Sequence, residues 1–251
     1  MIKFRKLSIL IMAGALAACS SSSDEQIQKI PDRSAQALYQ DAKETLEAGL
    51  HTKAIQLLTA LNSRYPFGPF SKQAQLDLIY AYYKVGDVAQ ATATIDRFVR
   101  LNPNHPDLDY VTYMRGVVNM EASENAFQEF FGIDRADRDA STVRESFKDF
   151  QKVTQLYPDS KYAADAKKRM AFLLNKLARR ELMIAEYYTN RGAHLAAANR
   201  GKYVLENYPN SPHVEQALEI MIESYGILGL NDLKEDAIEA LKLNFPDNDE
   251  Y

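Results

Sequence analysis

The residues able to do covalent or acid–base chemistry in this chain are few and widely scattered. There is one thiol, Cys19, and there are four imidazoles, His51, His105, His194 and His213. No two of these histidines stand at the i, i+4 spacing that lets a helix present a zinc pair. No GxSxG elbow, GxGxxG turn or phosphate-binding loop occurs either. Acidic residues about one turn apart, such as Asp41 with Glu44 or Glu215 with Glu219, are what any solvated helix face displays. These spacings point to no catalytic residue, no metal site and no cofactor. What remains to be explained is the lone thiol and the aromatic side chains.

The thiol has a telling position. Leu16-Ala17-Ala18-Cys19 closes an apolar run, Leu7 to Ala18, that Lys3, Arg5 and Lys6 precede. A positive start, a short apolar stretch and small residues at a boundary make an export signal, whereas a permanent span needs about 20 apolar residues. The four residues resemble the lipobox of bacterial lipoprotein signal peptides. The resemblance implies that residues 1–18 are a signal peptide that is removed. It also implies that Cys19 carries S-diacylglycerol and, on its new amino terminus, an N-acyl chain. Ser20, where aspartate would favour retention at the inner membrane, implies sorting to the periplasmic face of the outer membrane. Several chains anchor stably because each buried methylene adds about 0.8 kcal/mol. With its thiol on lipid, the exported body has no disulfide and depends on its core.

Charge narrows the partners further. The leader holds three of the 30 basic residues and none of the 34 acidic ones, so the mature chain carries −7 with neutral histidines. A nucleic-acid binder would show a basic footprint, so no nucleic acid is expected. Residues 19–33, the lipidated cysteine with serines, Asp24, Glu25 and Pro31, have the composition of a flexible tether. Its 14 residues beyond the cysteine reach roughly 50 Å when extended.

What must position any binding residues is a repeat. Pro66, Pro103, Pro158, Pro209 and Pro246 recur at intervals of 37, 55, 51 and 37 residues. Four of them follow a glycine, Gly49, Gly86, Gly192 or Gly229, by 17 residues. Between these landmarks apolar residues fall three or four apart, as in Leu38, Ala42, Leu46 and Ala54, Leu57, Leu58, Leu61, which makes one face of a helix. Glycine caps the first helix and proline stops the second. A lone helix pair cannot bury its faces, so the pairs must stack. The expectation is an all-α solenoid of about five helix pairs, with an N-terminal half at 34–158 and a C-terminal half at 159–251. Two intervals are long. The first excess falls around Ser123–Asp139, where Phe130-Phe131-Gly132 and alternating aspartate and arginine suggest an ordered, functional loop. Phe127, Phe130 and Phe131 could equally plug the core. The second precedes Gly192, and with no glycine or proline from Ser160 to Asn190 it suggests one helix of 31 residues.

The pattern resembles the tetratricopeptide repeat. Small residues stand on the turn side of the second helices at Ala54, Ala91, Ser146 and Ala197, with Lys234 as the exception. Tyr82, Tyr188 and Tyr225 take the aromatic position of the first helices, which Thr45 departs from, and Gly116 and Ala185 the small position where two helices cross. In such arrays the first helices line a concave surface. Counting from the prolines, the resemblance places Tyr39, Lys43, Tyr80, Tyr83, Lys84, Tyr110 and Tyr113 on it. Tyrosine combines a broad apolar body with a polar tip, which suits peptide capture.

Longer strings are more specific. RYPFGPF (64–70), QLDLIYAYYK (75–84), IDRFVRLNP (95–103), YMRG (113–116), FFGIDRADRD (130–139) and AEYYTNRGA (185–193) resemble the BamD family of outer-membrane assembly lipoproteins, nearly from end to end. The resemblance implies a non-enzymatic subunit of the β-barrel assembly (BAM) complex. Its N-terminal groove would receive signal strands of unfolded outer-membrane proteins, which end in an aromatic residue and a free carboxylate. Its C-terminal half would dock on the POTRA region of a BamA-like barrel protein, and other lipoproteins of the complex would join. Arg200, in AANRG, matches the family's arginine near that contact; Arg179 and Arg180 would extend a basic strip beside it. The same repeat class also builds pilotin-like scaffolds for secretion or pilus machines, which would co-purify with a secretin.

Overall fold

The computed structural model describes residues 32–128 and 133–248, and the side chains of 123–140 are not among what it describes. The signal peptide, Cys19 and most of the tether therefore lie outside the described residues, as do Phe130 and Phe131. Among the described residues ten α-helices follow one another: α1 (Ala35–Glu47), α2 (His51–Arg64), α3 (Ser71–Lys84), α4 (Val88–Leu101), α5 (Leu108–Gln128), α6 (Ile133–Leu156), α7 (Ala163–Asn190), α8 (His194–Asn207), α9 (Val214–Ile227) and α10 (Asn231–Asn244). Each packs mainly on its neighbours in sequence, and the first helices of adjacent pairs also touch, α3 on α5 and α7 on α9. This is the all-α repeat solenoid of five pairs that the punctuation implies.

The glycines act as left-handed caps. Gly49, Gly86, Gly192 and Gly229 have φ between 69° and 74°, a region costly for residues with a Cβ. In all four the next residue's N–H reaches back five residues, as from Leu50 to Thr45 and from Asp87 to Tyr82, closing the helix end. The prolines stop the second helices from outside. Tyr65, Asn102, Tyr208 and Phe245 each precede a proline and leave the helical region, with φ from −130° to −134°.

The third pair corrects one expectation. Where a functional loop was expected around 123–139, α5 continues to Gln128 and α6 begins at Ile133. With 21 and 24 residues against the 14 of most helices here, the insertion is added helix on both sides of the turn. The alternating Asp and Arg residues are spaced for i, i+4 pairing, as Asp134 with Arg138, and so favour helix. A smaller correction concerns α7. It has 28 residues and starts at Ala163, because Ser160 forms a turn, its hydroxyl bonding Asp109 at 2.6 Å and accepting from Tyr162 N–H at 3.1 Å.

Small residues let the helices cross closely. Ala54, Ala91, Ser146, Ala185 and Ala197 are fully buried. A Cβ added at Gly116 would lie 2.8 Å from the Phe150 ring, and one at Gly201 would lie 2.7 Å from the Ala217 carbonyl oxygen. Lys234, the exception in the fifth pair, lies over Gly226, its Cδ 3.6 Å from where a Cβ would stand. No described helix is long and apolar enough to cross a membrane.

Candidate peptide groove and docking surface

The first helices α1, α3 and α5 bring the predicted groove residues together, but not as a row of equivalent open rings. Tyr80 is the exposed one, at 39%, with its ring edge-on to His51 at 5.8 Å. Tyr39 is half-buried and stacks on Phe70 with ring centres 4.9 Å apart. Tyr83 is half-buried where the core beneath α3–α5 meets the core beneath α5–α9. Tyr110 and Tyr113 both pack on Tyr162, at 5.7 and 4.8 Å. Lys43 and Lys84 are exposed. Four of the five tyrosines therefore also support the fold, because an α3 or α5 residue that faces the groove borders the next first helix too.

Two carboxylates organise these rings, and composition alone did not single out either. Asp77, on α3, accepts from Gln73 Nε2 at 3.1 Å and faces Tyr39 on α1. Burial pushes its pKa up, while Gln73, Tyr39 and the charge of Lys43 pull against the rise. Burial and the facing Asp77 push the Tyr39 phenol to about 12. Burial, with Tyr162, Asp77 and Tyr80 nearby, raises Tyr110 as well. The second carboxylate, Asp165, accepts from the Tyr113 hydroxyl at 2.6 Å and from Arg169. Burial would raise it, but these hydrogen bonds and the Arg169 charge outweigh burial and hold it below the usual carboxylate range. Tyr113 is pushed to about 12, by burial first and then by its bond to Asp165. The Arg169 guanidinium lies 5.8 Å from the Tyr113 ring centre, adding a cation–π contact. Helical spacing was a usable signal for Asp77, four residues after Gln73 and three before Tyr80. Nothing local in the sequence ties Tyr162, Asp165 and Arg169 to Tyr113.

The C-terminal strip differs from expectation. Arg179 is exposed, but Arg180 and Arg200 both turn toward Glu181, at 3.4 and 2.8 Å. Glu181 is buried, 3% exposed, in the middle of α7. A buried carboxylate needs such partners, and removing one leaves an uncompensated charge. Arg200 thus forms an ion pair that joins α8 to α7, with its side chain still 40% exposed. Nearby, burial and its neighbour Tyr203 raise the Tyr208 phenol to about 12.

No group of three or more His, Cys, Asp or Glu side chains among the described residues is placed to hold a metal ion. His51 and His194 open α2 and α8.

The family model named YfiO, described as an outer membrane lipoprotein, matches residues 31–241. An outer membrane protein assembly factor, BamD, of Vibrio cholerae is 45% identical over 242 residues, covering 96% of this chain and 99% of that protein. The protein of the same name from Pasteurella multocida is 40% identical, covering 94% and 89%. That of Neisseria meningitidis serogroup A is 38% identical, covering 96% and 92%.

Proposed function

Because the chain belongs to the YfiO family of outer membrane lipoproteins, we propose that it is a non-enzymatic subunit of the machinery that assembles β-barrels into the outer membrane. The observation that carries this reading is its likeness, along nearly its whole length, to proteins named outer membrane protein assembly factor BamD. In this reading lipid on Cys19 holds the body at the periplasmic face of the outer membrane, with no other cofactor. The groove of α1, α3 and α5 receives extended, aromatic-ended segments of unfolded outer-membrane proteins. The exposed Tyr80, between half-buried rings and near Lys84, supplies a rigid surface for an arriving side chain. The C-terminal half docks on the POTRA region of a BamA-like barrel protein, with Arg179 at its exposed edge and Arg200 holding α8 in position. Other lipoproteins of the complex bind the remaining surface.

Affinity purification from detergent-solubilised membranes tests the partnership. Recovery of a BamA-like protein is the expected result, and recovery of a secretin in its place overturns it in favour of a pilotin-like scaffold. Photocrosslinking from position 80 to an aromatic-ended barrel peptide tests the groove; crosslinks only from the C-terminal half overturn it. Replacing Cys19 with serine tests the anchor. Normally processed protein that still needs detergent for extraction would remove lipid from the account.

A further inference from the structure

A cleft of about 340 Å³ runs between the second helices α2 and α4, with Gln75, Leu78 and Tyr82 of α3 as its floor. At 100° per residue these three leave α3 on the side opposite Asp77 and Tyr80, so the cleft is separate from the groove. Its walls carry hydroxyls and carboxamides, one cation, Arg97, and no carboxylate. Two oxygens in it, Asn62 Oδ1 and Gln75 Oε1, are sealed from solvent and accept no hydrogen bond from any described residue. Gln75 is held in place: its Nε2 donates to the Ser71 carbonyl at 3.3 Å, and the Ser71 hydroxyl donates to the Pro66 carbonyl at 2.7 Å. A carbonyl takes only a donor, so that bond decides which end of the amide is oxygen. Buried acceptors left unfilled are costly, and these two call for N–H or O–H groups. Arg97, exposed and with no ion pair among the described residues, calls for an anion. Sugars favour an open aromatic face, and Tyr82, the one ring lining the cleft, is half-buried between two cores. The main chain of an extended, acidic segment fits better, since it carries one N–H per residue.

The chain itself brings such a segment to the edge of the cleft. Asp32 lies 3.9 Å from Arg64 at the end of α2, and the Tyr65 hydroxyl donates to the Arg33 carbonyl at 2.9 Å. Arg64 and Tyr65 stand between Ser63 and Pro66, both of which line the cleft. The residues before Asp32 read SSSSDEQIQKIP (20–31), polar and without glycine, with Asp24 and Glu25 as the anions. From Glu25 to Asp32 an extended chain spans about 23 Å, more than the 10 Å or so of α3 between Gln75 and Tyr82. We propose that residues 24–31 lie in this cleft as a strap. Their main-chain N–H groups fill Asn62 and Gln75, and the Asp24–Glu25 pair meets Arg97. This goes beyond the assembly role and does not depend on it. Where Cys19 carries lipid, the strap leaves only residues 20–23 to span from lipid to body.

The test uses the full-length protein with a photoreactive residue in place of Ala93, which lines the cleft. Illumination in the membrane, then extraction and mass spectrometry, should show position 93 joined to residues 20–31 of the same chain. Trypsin gives an independent reading, because cleavage after Lys29 tracks the released population. It should be about tenfold faster in Asn62→Leu/Gln75→Met, which removes two acceptors, with helicity checked. It should be about threefold faster in Asp24→Asn/Glu25→Gln, the loss of an exposed ion pair. That variant alters no helix, so misfolding cannot explain it, and adding Arg97→Gln should change nothing further. Position 93 joined to another protein, or not joined to residues 20–31, overturns the proposal. Cleavage at the parent rate in both variants does so too. Either result leaves the groove and the assembly role as they stand.

Discussion

Asp77 in the N-terminal groove and Glu181 in the C-terminal half are both carboxylates withdrawn from water on first helices, and they are handled in opposite ways. Glu181 is almost sealed and faces two guanidinium groups, so its charge is matched and fixed. Asp77 is half-buried and hydrogen-bonded by the Gln73 amide, with Tyr39 and Lys43 acting on it from α1. A charge-matched carboxylate serves as a rivet between helices. One held by neutral donors keeps acceptor capacity and stays responsive to whatever enters. The family's likeness runs through both regions, but one carboxylate is matched by facing cations and the other is not.

The largest effect should come from attacking the rivet. Arg200→Glu puts a second carboxylate against buried Glu181 and should cost about 3–5 kcal/mol of stability, seen as a marked drop in the thermal midpoint. Unchanged unfolding would mean that Arg200 is a surface contact after all and would erase the contrast. Next comes the receiving side. Tyr80→Ala should weaken peptide binding by upwards of about 2 kcal/mol with unfolding nearly unaltered. Tyr113→Ala should do the reverse, lowering stability because its ring and hydroxyl sit among Tyr162, Asp165 and Arg169. Calorimetry and anisotropy on the same two variants separate these outcomes.

A smaller effect should appear in the pH dependence of Asp77. Its folded pKa is raised, so ionising it costs stability, a cost present near neutrality and removed as pH falls from the raised folded value to the usual carboxylate value. Asp77→Asn should therefore stabilise slightly at pH 7, with the gain fading across that window and gone below the usual carboxylate range. A gain that persisted into acid would assign the effect to packing. The smallest change belongs to Arg179→Glu. It should move stability by no more than about 0.5 kcal/mol, as exposed substitutions do, while reducing capture of a BamA-like partner. Full capture would take Arg179 out of the docking surface.

The pairs were legible because their punctuation is local: a left-handed glycine and a proline act within a few residues of themselves. Thus Gly49 and Pro66 bound α2 from outside without reference to anything distant. The third pair misled for the converse reason. Phe130-Phe131-Gly132 looked like a break, but helix on both sides is favoured by charge spacing that a search for glycine and proline overlooks. The site was legible in position and illegible in state. Repeat counting put Tyr39, Tyr80, Tyr83, Tyr110 and Tyr113 on the right helices. Which of them lie half-covered depends on Phe70, Tyr162 and Asp165, up to 52 residues away in the chain. Arg180 and Arg200 looked like surface charge for a similar reason, since a buried glutamate is indistinguishable in sequence from a solvated one.

The length of α7 has a mechanical meaning. A stack of repeats that touch only their neighbours flexes like a coil spring, the strain being shared among many soft joints. The 28 residues of α7 run about 42 Å without a joint, packed on α6, α8 and α9. Bending there would require snapping backbone hydrogen bonds, so the middle of the molecule behaves as a stiff beam. A load applied to the C-terminal helices would thereby be carried toward the N-terminal ones as rotation of a whole body, with little lost to bending.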